Sequence, residues 1–383
     1  MSNSTKNNYS IAIIDPVGVK AGMNYYNISL LSNMSNQGVK TYVFSNFTHV
    51  ENNENIKYYL YFKSHTNSNS IAKFHHFIKA FIKSAKQCRK SNINLVIIHI
   101  FSANFINVLM LKILRFYNLK ILIIVHDITS LNNDDSQKRR NIICNKLSDL
   151  IVVQNKHSYD SLIEKCKIKY PKKIHVIKHG GYIDFINQNI TKDEARMKLG
   201  LEKNDKFILF FGQIKKVKGL DILLHAMQYV EEDVKLIIAG KSWKDEFTKY
   251  DKIINKYNLQ NRIHKINKFI DDTQRDLLFH ASDINIIPYK IVYQSGVLLM
   301  SMSYGLPVIA SDLPANKEVI IDEENGLLFK TENIIDLADK INMLFSNEEL
   351  YLKIKNNSIN TINSEYSWKE IANKYVEILK GKY

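Results

Sequence analysis

The chain has 383 residues, 45% of them hydrophobic and 24% charged, with five prolines and thirteen glycines; this excludes wholesale disorder and the collagen-like and Pro/Gly-rich classes. Lysine and arginine number 53 against 38 aspartates and glutamates, a net +15, which points to an anionic partner: nucleic acid, an acidic membrane surface or a phosphorylated substrate. The excess sits wholly in residues 1–185, with 25 basic against 10 acidic side chains, whereas residues 186–383 hold 28 of each.

At roughly 100–200 residues per domain the length predicts two domains. In chain order, residues 11–14 read as a strand, 17–22 as a glycine-containing turn, 25–36 as a helix and 40–44 as a strand. Helix is predicted over 71–90 and 105–117, and strand over 95–100, 120–125, 150–153 and 175–177. The pattern restarts after 180–189. Strands are expected at 207–211, 234–239, 262–266, 284–288 and 307–310. Helices are expected at 219–229, 250–257, 272–280, 296–304 and 333–345. Alternation of this kind predicts an α/β chain of two doubly wound, Rossmann-like domains. Their parallel sheets would face a central cleft with their carboxyl ends. The expected boundaries are 1–185, 186–365 and a terminal helix over 366–383.

The polar residues through Ser10 carry no apolar signal core, and the longest apolar runs, such as 121–125, are strand-length. Cys88, Cys144 and Cys166 are odd in number and far apart, which suits neither a disulfide framework nor a zinc site and fits a reducing cytoplasm. The Asn- and Ser-rich stretch from His65 to Ser70 reads as a surface loop. Within 71–90, Phe74, Phe77, Ile78, Phe81 and Ile82 recur at helical spacing, ringed by Lys73, Lys79, Lys83, Lys86, Arg89 and Lys90. Such a helix either packs its stripe on the sheet or lies on an anionic membrane, and both can hold together. Lys112, Arg115, Lys120, Lys138, Arg139 and Arg140 add to the positive surface expected of this half.

Two stretches carry chemistry. Residues 210–219 form a strand, a lysine-rich turn (Lys215, Lys216, Lys218) and a helix start at Gly219, where lysines and unpaired N–H groups can meet phosphates. The bland alternative is a solvated loop. In Gln294-Ser295-Gly296-Val297, Ser295 is an N-cap and Gly296 permits close approach of a ligand to the backbone. The bland alternative is an ordinary buried helix.

Together these stretches resemble the retaining glycosyltransferases of the GT-B fold, in the family called glycosyl transferases group 1, over nearly the whole chain. There the first element reads Gly-Arg-Leu-x-x-x-Lys-Gly, and its Arg and Lys hold the donor diphosphate. Lys218 stands at that Lys. Gln213 occupies the Arg position, a departure for which Lys215 can supply the charge. The second element resembles the family's Gly-Phe-Gly-Leu-Pro segment in its Gln-Ser-Gly-Val version. That implies contacts from the amides of Ser295, Gly296 and Val297 to the distal phosphate and sugar, with Gln294 beside them. The glutamates that often bracket this segment fall near Val292 and Met300 and are missing. Glu318 matches a further position, donor-binding or structural. Gly18 and Gly22 resemble the family's loop after the first strand, though no Gly-x-Gly-x-x-Gly favours a dinucleotide. His126 resembles the strand-end histidine near the donor sugar, and Asp127 caps the next segment or orients it. His179-Gly180-Gly181-Tyr182-Ile183-Asp184 resembles the interdomain His-Gly-Val-Asp, and Trp368 starts a helix that in this fold crosses back to the first domain.

The resemblance implies a retaining hexosyltransferase with His126 and Lys218 as catalytic residues. Its donor would be a nucleotide sugar, UDP-linked by base rate. Its acceptor would be a growing, lipid-linked surface polysaccharide or related glycan. No cofactor, no metal and no nucleic acid are expected, and the enzyme would sit in the cytoplasm against the inner face of the membrane. The alternatives are an epimerase-like or phosphorylase-like enzyme on the same scaffold, and a basic nucleic-acid-binding protein. The last lacks RNP, zinc-finger and helix-turn-helix signatures.

Overall fold

The computed structural model describes residues 9–18, 22–48, 53–62, 70–129, 136–243 and 246–382. Residues 1–8, residues 19–21 between Gly18 and Gly22, and most of the stretch from His65 to Ser70 lie outside the described residues. The chain divides into two compact units, Met1–Gly180 with Trp368–Tyr383, and Gly181–Ser367.

The first unit runs β1 (Ser10–Asp15), α1 (Met23–Ser35), β2 (Lys40–Ser45), β3 (Ile56–Tyr59), α2 (Ser70–Lys90), β4 (Leu95–Ile100) and α3 (Phe105–Phe116). It continues with β5 (Lys120–Val125), α4 (Gln137–Ile142) and a π-helical turn (Ile143–Leu147), then β6 (Leu150–Val153), α5 (Lys156–Cys166) and β7 (Ile174–Val176). The seven strands are parallel in the order β3-β2-β1-β4-β5-β6-β7. Helices cover both faces, which is why β4 and β6 are apolar and buried almost throughout instead of alternating.

Helix α2 divides its apolar stripe between two environments. Ala80, Phe81, Ala85 and Cys88 are buried, Phe81 against Phe62 with ring centres 5.1 Å apart, while Ile71 and Phe74 in the first turns are 81% and 42% exposed. The basic surface is narrower than the sequence suggests. Arg140 is buried and donates from Nη1 to the Asp127 carbonyl at 3.0 Å, and Arg115 pairs with Asp149 at 3.0 Å. Of the basic residues singled out in the sequence, the lysines of α2, Arg89, Lys112, Lys120 and Lys138 are exposed, and Lys40, Lys57, Lys146 and Lys156 add to them.

The second unit runs α6 (Lys192–Leu199), β8 (Lys206–Phe211), α7 (Leu220–Ala226), β9 (Val234–Ala239), α8 (Thr248–Lys256) and β10 (Ile263–Ile266). There follow α9 (Asp272–Ala281), β11 (Ile284–Ile287), α10 (Gly296–Ser303), β12 (Val308–Ser311), α11 (Pro314–Lys317), β13 (Leu327–Phe329), α12 (Ile334–Ser346) and α13 (Glu348–Glu365). Its parallel sheet has the order β10-β9-β8-β11-β12-β13. The last helix, α14 (Trp368–Lys382), belongs to the first unit. Trp368, Ile371, Tyr375 and Leu379 enter that unit's core beside Tyr26 and Leu30 of α1, and the Tyr26 and Tyr375 hydroxyls lie 2.7 Å apart.

Strand order reverses between β1 and β4 in one sheet and between β8 and β11 in the other. Beyond the carboxyl ends of such strand pairs an open α/β sheet leaves a crevice for ligands.

Candidate functional site

In the second unit the residues beyond β8 and β11 are tied together. Lys290 donates its backbone N–H to the Val217 carbonyl at 2.9 Å, and its ammonium pairs with Asp221 at 2.8 Å. Gly219 has φ +69°, and a Cβ there would lie 1.8 Å from the Pro288 carbonyl oxygen, so only glycine lets the lysine-rich turn close on β11. That closure sets the Lys218 ammonium 3.5 Å from the centre of the Tyr289 ring. Lys215 begins the short 3-10 turn Lys216–Lys218, and Gln213 is exposed on the preceding bend.

Ser295 caps α10, its hydroxyl accepting the Leu298 N–H at 3.2 Å, and its carbonyl takes the Leu299 N–H at 3.4 Å. Among the described residues this leaves the amides of Gly296 and Val297 as donors at the start of an eight-residue helix, where the dipole favours an anion. A Cβ on Gly212 at the end of β8 would stand 3.4 Å from Val297, so strand end and helix start meet. Val292 and Met300, where the family often has glutamates, are buried apolar side chains. Gln294 is half-buried one residue before the cap, and Glu318 is exposed at the end of α11.

In the first unit His126 is buried at the end of β5, and both of its ring nitrogens are engaged. The network begins at the loop after β1. Asp15 Oδ1 accepts the N–H groups of Val17 (3.0 Å) and Gly18 (2.8 Å), and Asp15 Oδ2 accepts from Asn27 Nδ2 at 2.7 Å. With that amide nitrogen spent, Asn27 Oδ1 must accept from His99 Nε2 at 2.8 Å. Neutral His99 then offers Nδ1 to the N–H of His126 Nε2 at 2.8 Å, and His126 Nδ1 accepts from Gln154 Nε2 at 3.3 Å. Burial holds His99 at a pKa of about 3 with His179 adding to the shift, and it takes His126 well below the usual range with help from His99 and His179. His179 is brought to about 4 by burial, against the Gly180 carbonyl. Burial pushes the Asp15 carboxyl up, opposed by the two backbone N–H groups and Asn27 that hold its charged form.

A cavity of about 280 Å³ opens beside this network at the β1/β4 crevice, lined among others by Asp15, Val17, Phe77, Phe101, Asn104 and Asn107. Gly18 packs against Asn46, whose amide donates to the Val17 carbonyl at 3.1 Å, and Gly22 starts α1 with φ +69°. The structure thus gathers Gly18 and His126 around one network in the first unit, and Lys218, Gly296 and Val297 around β8 and β11 in the second. The sequence pattern missed Asp15, Asn27, His99 and Gln154. The available signal was polarity out of place, as with His99 inside the apolar run of β4.

Residues 191–361 match the family model described as Glycosyl transferases group 1. Spore coat protein SA of Bacillus subtilis is 28% identical over 49% of this chain and 52% of its own length. N-acetylgalactosamine-N,N'-diacetylbacillosaminyl-diphospho-undecaprenol 4-alpha-N-acetylgalactosaminyltransferase of Campylobacter jejuni is 23% identical over 76% of this chain and 78% of its own. Over the first matches the chain spans about half the length of the curated relatives. The structure of Anabaena HepE in complex with UDP-glucose superposes with a TM-score of 0.78 at 17% identity, covering 97% of this chain and 99% of that one. Residues 191–361 are thus similar to the glycosyl transferases group 1 family, and the two parallel sheets of the chain have the GT-B fold.

Proposed function

We propose that the protein transfers a sugar from a nucleotide-sugar donor to a glycan acceptor with retention of anomeric configuration. The observation that carries this reading is the convergence of Gly212, Lys218 and the first turn of α10 at the β8/β11 crevice. Lys218 and Lys215 supply positive charge to the donor diphosphate, Gln213 flanks it, and the amides of Gly296 and Val297 with the Ser295 cap receive the distal phosphate. UDP is the proposed nucleotide, in keeping with the UDP-glucose bound by HepE. In the transfer the bond from the anomeric carbon to the phosphate oxygen breaks, and the acceptor oxygen bonds to that carbon on the same face. The acceptor's proton passes to the leaving phosphate. His126, with both ring nitrogens occupied, acts by holding the strand end beside the sugar.

The cavity bounded by Asp15, Phe101, Asn104 and Asn107 is the proposed acceptor subsite on the first unit. Phe77, which lines it, stands on α2 with the exposed Ile71 and Phe74 and with Lys73 and Lys79, and that helix favours an acceptor presented at an anionic membrane, on the cytoplasmic side. The name of the Campylobacter jejuni relative, with its diphospho-undecaprenol, supports a lipid-linked acceptor. No helix among the described residues is long and apolar enough to cross a membrane.

A thermal-shift panel of UDP, GDP, CDP and ADP tests the donor reading. A diphosphate at 100 times its dissociation constant stabilises by about 2.7 kcal/mol. No shift with any of the four removes the reading. Product analysis with UDP-sugars then separates transfer to a new glycoside from epimerisation or phosphorolysis.

A further inference from the structure

We infer that Tyr289 is a positioning residue of the diphosphate site: its ring stations the Lys218 ammonium where the phosphates arrive. The inference rests on the reading of Lys218 given under Proposed function.

Tyr289 stands two residues beyond the end of β11, in a segment clamped on several sides. The Pro288 carbonyl presses on Gly219, the Ser311 hydroxyl donates to the Tyr289 carbonyl at 2.6 Å, and the Lys290 N–H reaches Val217. The ring is therefore fixed, and Lys218, one residue before Gly219, is brought over its face at 3.5 Å from the centre. Lys290 is the other lysine at this strand end, and its charge is already matched by Asp221 at 2.8 Å. Among the described residues Lys218 rests on an aromatic face, where Lys290 meets a carboxylate.

That difference matters for an anion site. A carboxylate partner would compete with phosphate and cancel the charge. An aromatic face attracts the ammonium through its quadrupole and leaves the positive charge in place. An ammonium has three N–H donors, so one side can rest on the ring while the others meet phosphate oxygens. A freely rotating lysine must be ordered when the ligand binds; a stationed one is ordered beforehand. The Tyr289 hydroxyl is buried with no hydrogen-bond partner among the described residues. A purely structural buried tyrosine normally finds a partner for that hydroxyl. Here the ring face makes the contact with Lys218, so phenylalanine should replace it.

The test is UDP binding by calorimetry on the full chain, with Tyr289 replaced by phenylalanine and then by progressively fluorinated phenylalanines. These keep the ring's shape, so folding is preserved, while fluorine drains the face of negative potential. Tyr289→Phe should bind UDP as the wild type does. Affinity should then fall stepwise with fluorination, by about three- to tenfold at the end of the series. In a Lys218→Met background the same series should be flat. Affinity that is unchanged or rises along the series in the Lys218 protein overturns the inference; a rise would mean the ring competes with phosphate for the lysine. If Lys218→Met itself leaves UDP affinity unaltered, the diphosphate reading fails and this inference with it. A weakened Lys218→Met beside a flat ring series removes the Tyr289 role alone.

Discussion

His99 Nδ1 lies 2.8 Å from His126 Nε2, and the two buried rings pass a single direction of hydrogen bonding from Gln154 at the end of β6 to Asp15 at the end of β1. Each donor in the chain has one acceptor only while both rings are neutral. A proton added to His99 Nδ1 or His126 Nδ1 would turn an acceptor into a donor facing another donor. The carboxylate at the far end also holds the amides of Val17 and Gly18, so the shape of the β1 loop depends on this chain of bonds.

Stability should therefore fall on acidification. His99 and His179 titrate at about 3 and about 4 in the folded unit, below the ordinary histidine value, so the unfolded chain binds more protons in between. Their contribution is complete above about pH 6.5 and is lost progressively towards pH 3–4, at up to about 1.4 kcal/mol per pH unit for each ring. Asp15, whose carboxyl is pushed up, acts in the opposite sense at the acid end and offsets part of the loss. Urea midpoints between pH 7.5 and 4.5 measure this, and His99→Gln should flatten the profile. A midpoint independent of pH across that range would contradict the neutral network.

Lys218→Ala should remain folded and lose about 100-fold or more in turnover, the scale of removing one donor to a developing anion. Single-turnover assays at saturating donor check it; near wild-type turnover refutes the diphosphate role. In contrast, a folded His126→Ala protein should still bind the free nucleoside diphosphate, because His126 is assigned to the sugar side.

Gly219→Ala should destabilise the second unit by at least about 2 kcal/mol, since a left-handed backbone disfavours any side chain and the added carbon meets a carbonyl oxygen. The relevant distance is 1.8 Å from that Cβ to Pro288 O, too short for a rotamer change to relieve. Chemical denaturation reads the loss, and a variant as stable as the wild type would mean the turn reseats without Pro288.

Binding to vesicles of acidic phospholipid should depend on the first turns of α2. Lys73→Gln with Lys79→Gln should weaken co-sedimentation by about 2 kcal/mol, since a basic residue near such a surface is worth about 1 kcal/mol. Ile71→Ser with Phe74→Ser should weaken it further by withdrawing exposed apolar side chains, which are 81% and 42% accessible. Full retention by both variants would place membrane contact elsewhere or nowhere on this helix.

Most strands and helices were legible from the sequence because both faces of a parallel sheet are covered, which leaves unmistakable apolar runs such as 95–100 and 121–125. β3 was not: Ile56–Tyr59 is a four-residue edge strand, too short to show a period. Helix α2 showed its stripe plainly, but its spacing did not reveal that Phe81 packs while Ile71 remains exposed, because periodicity marks a face without marking what covers it. The arginines misled for a similar reason. Nothing in the run of Lys138, Arg139 and Arg140 tells that Arg140 turns inward to the Asp127 carbonyl.

At the candidate sites, the local order of residues already named Lys218, Gly219 and Ser295, since a strand–turn–helix with lysines and a capped helix start are written along one stretch of chain. Their partners came only with tertiary structure. Tyr289 beneath Lys218, Pro288 against Gly219, and the line from Gln154 through His126, His99 and Asn27 to Asp15 join residues tens of positions apart. Sequence alone determined which groups could hold an anion or exchange a proton. Packing decided which of them are neutral, which are neutralised and which are held still, because those properties depend on burial and on neighbours that the chain brings together only when its strands pair.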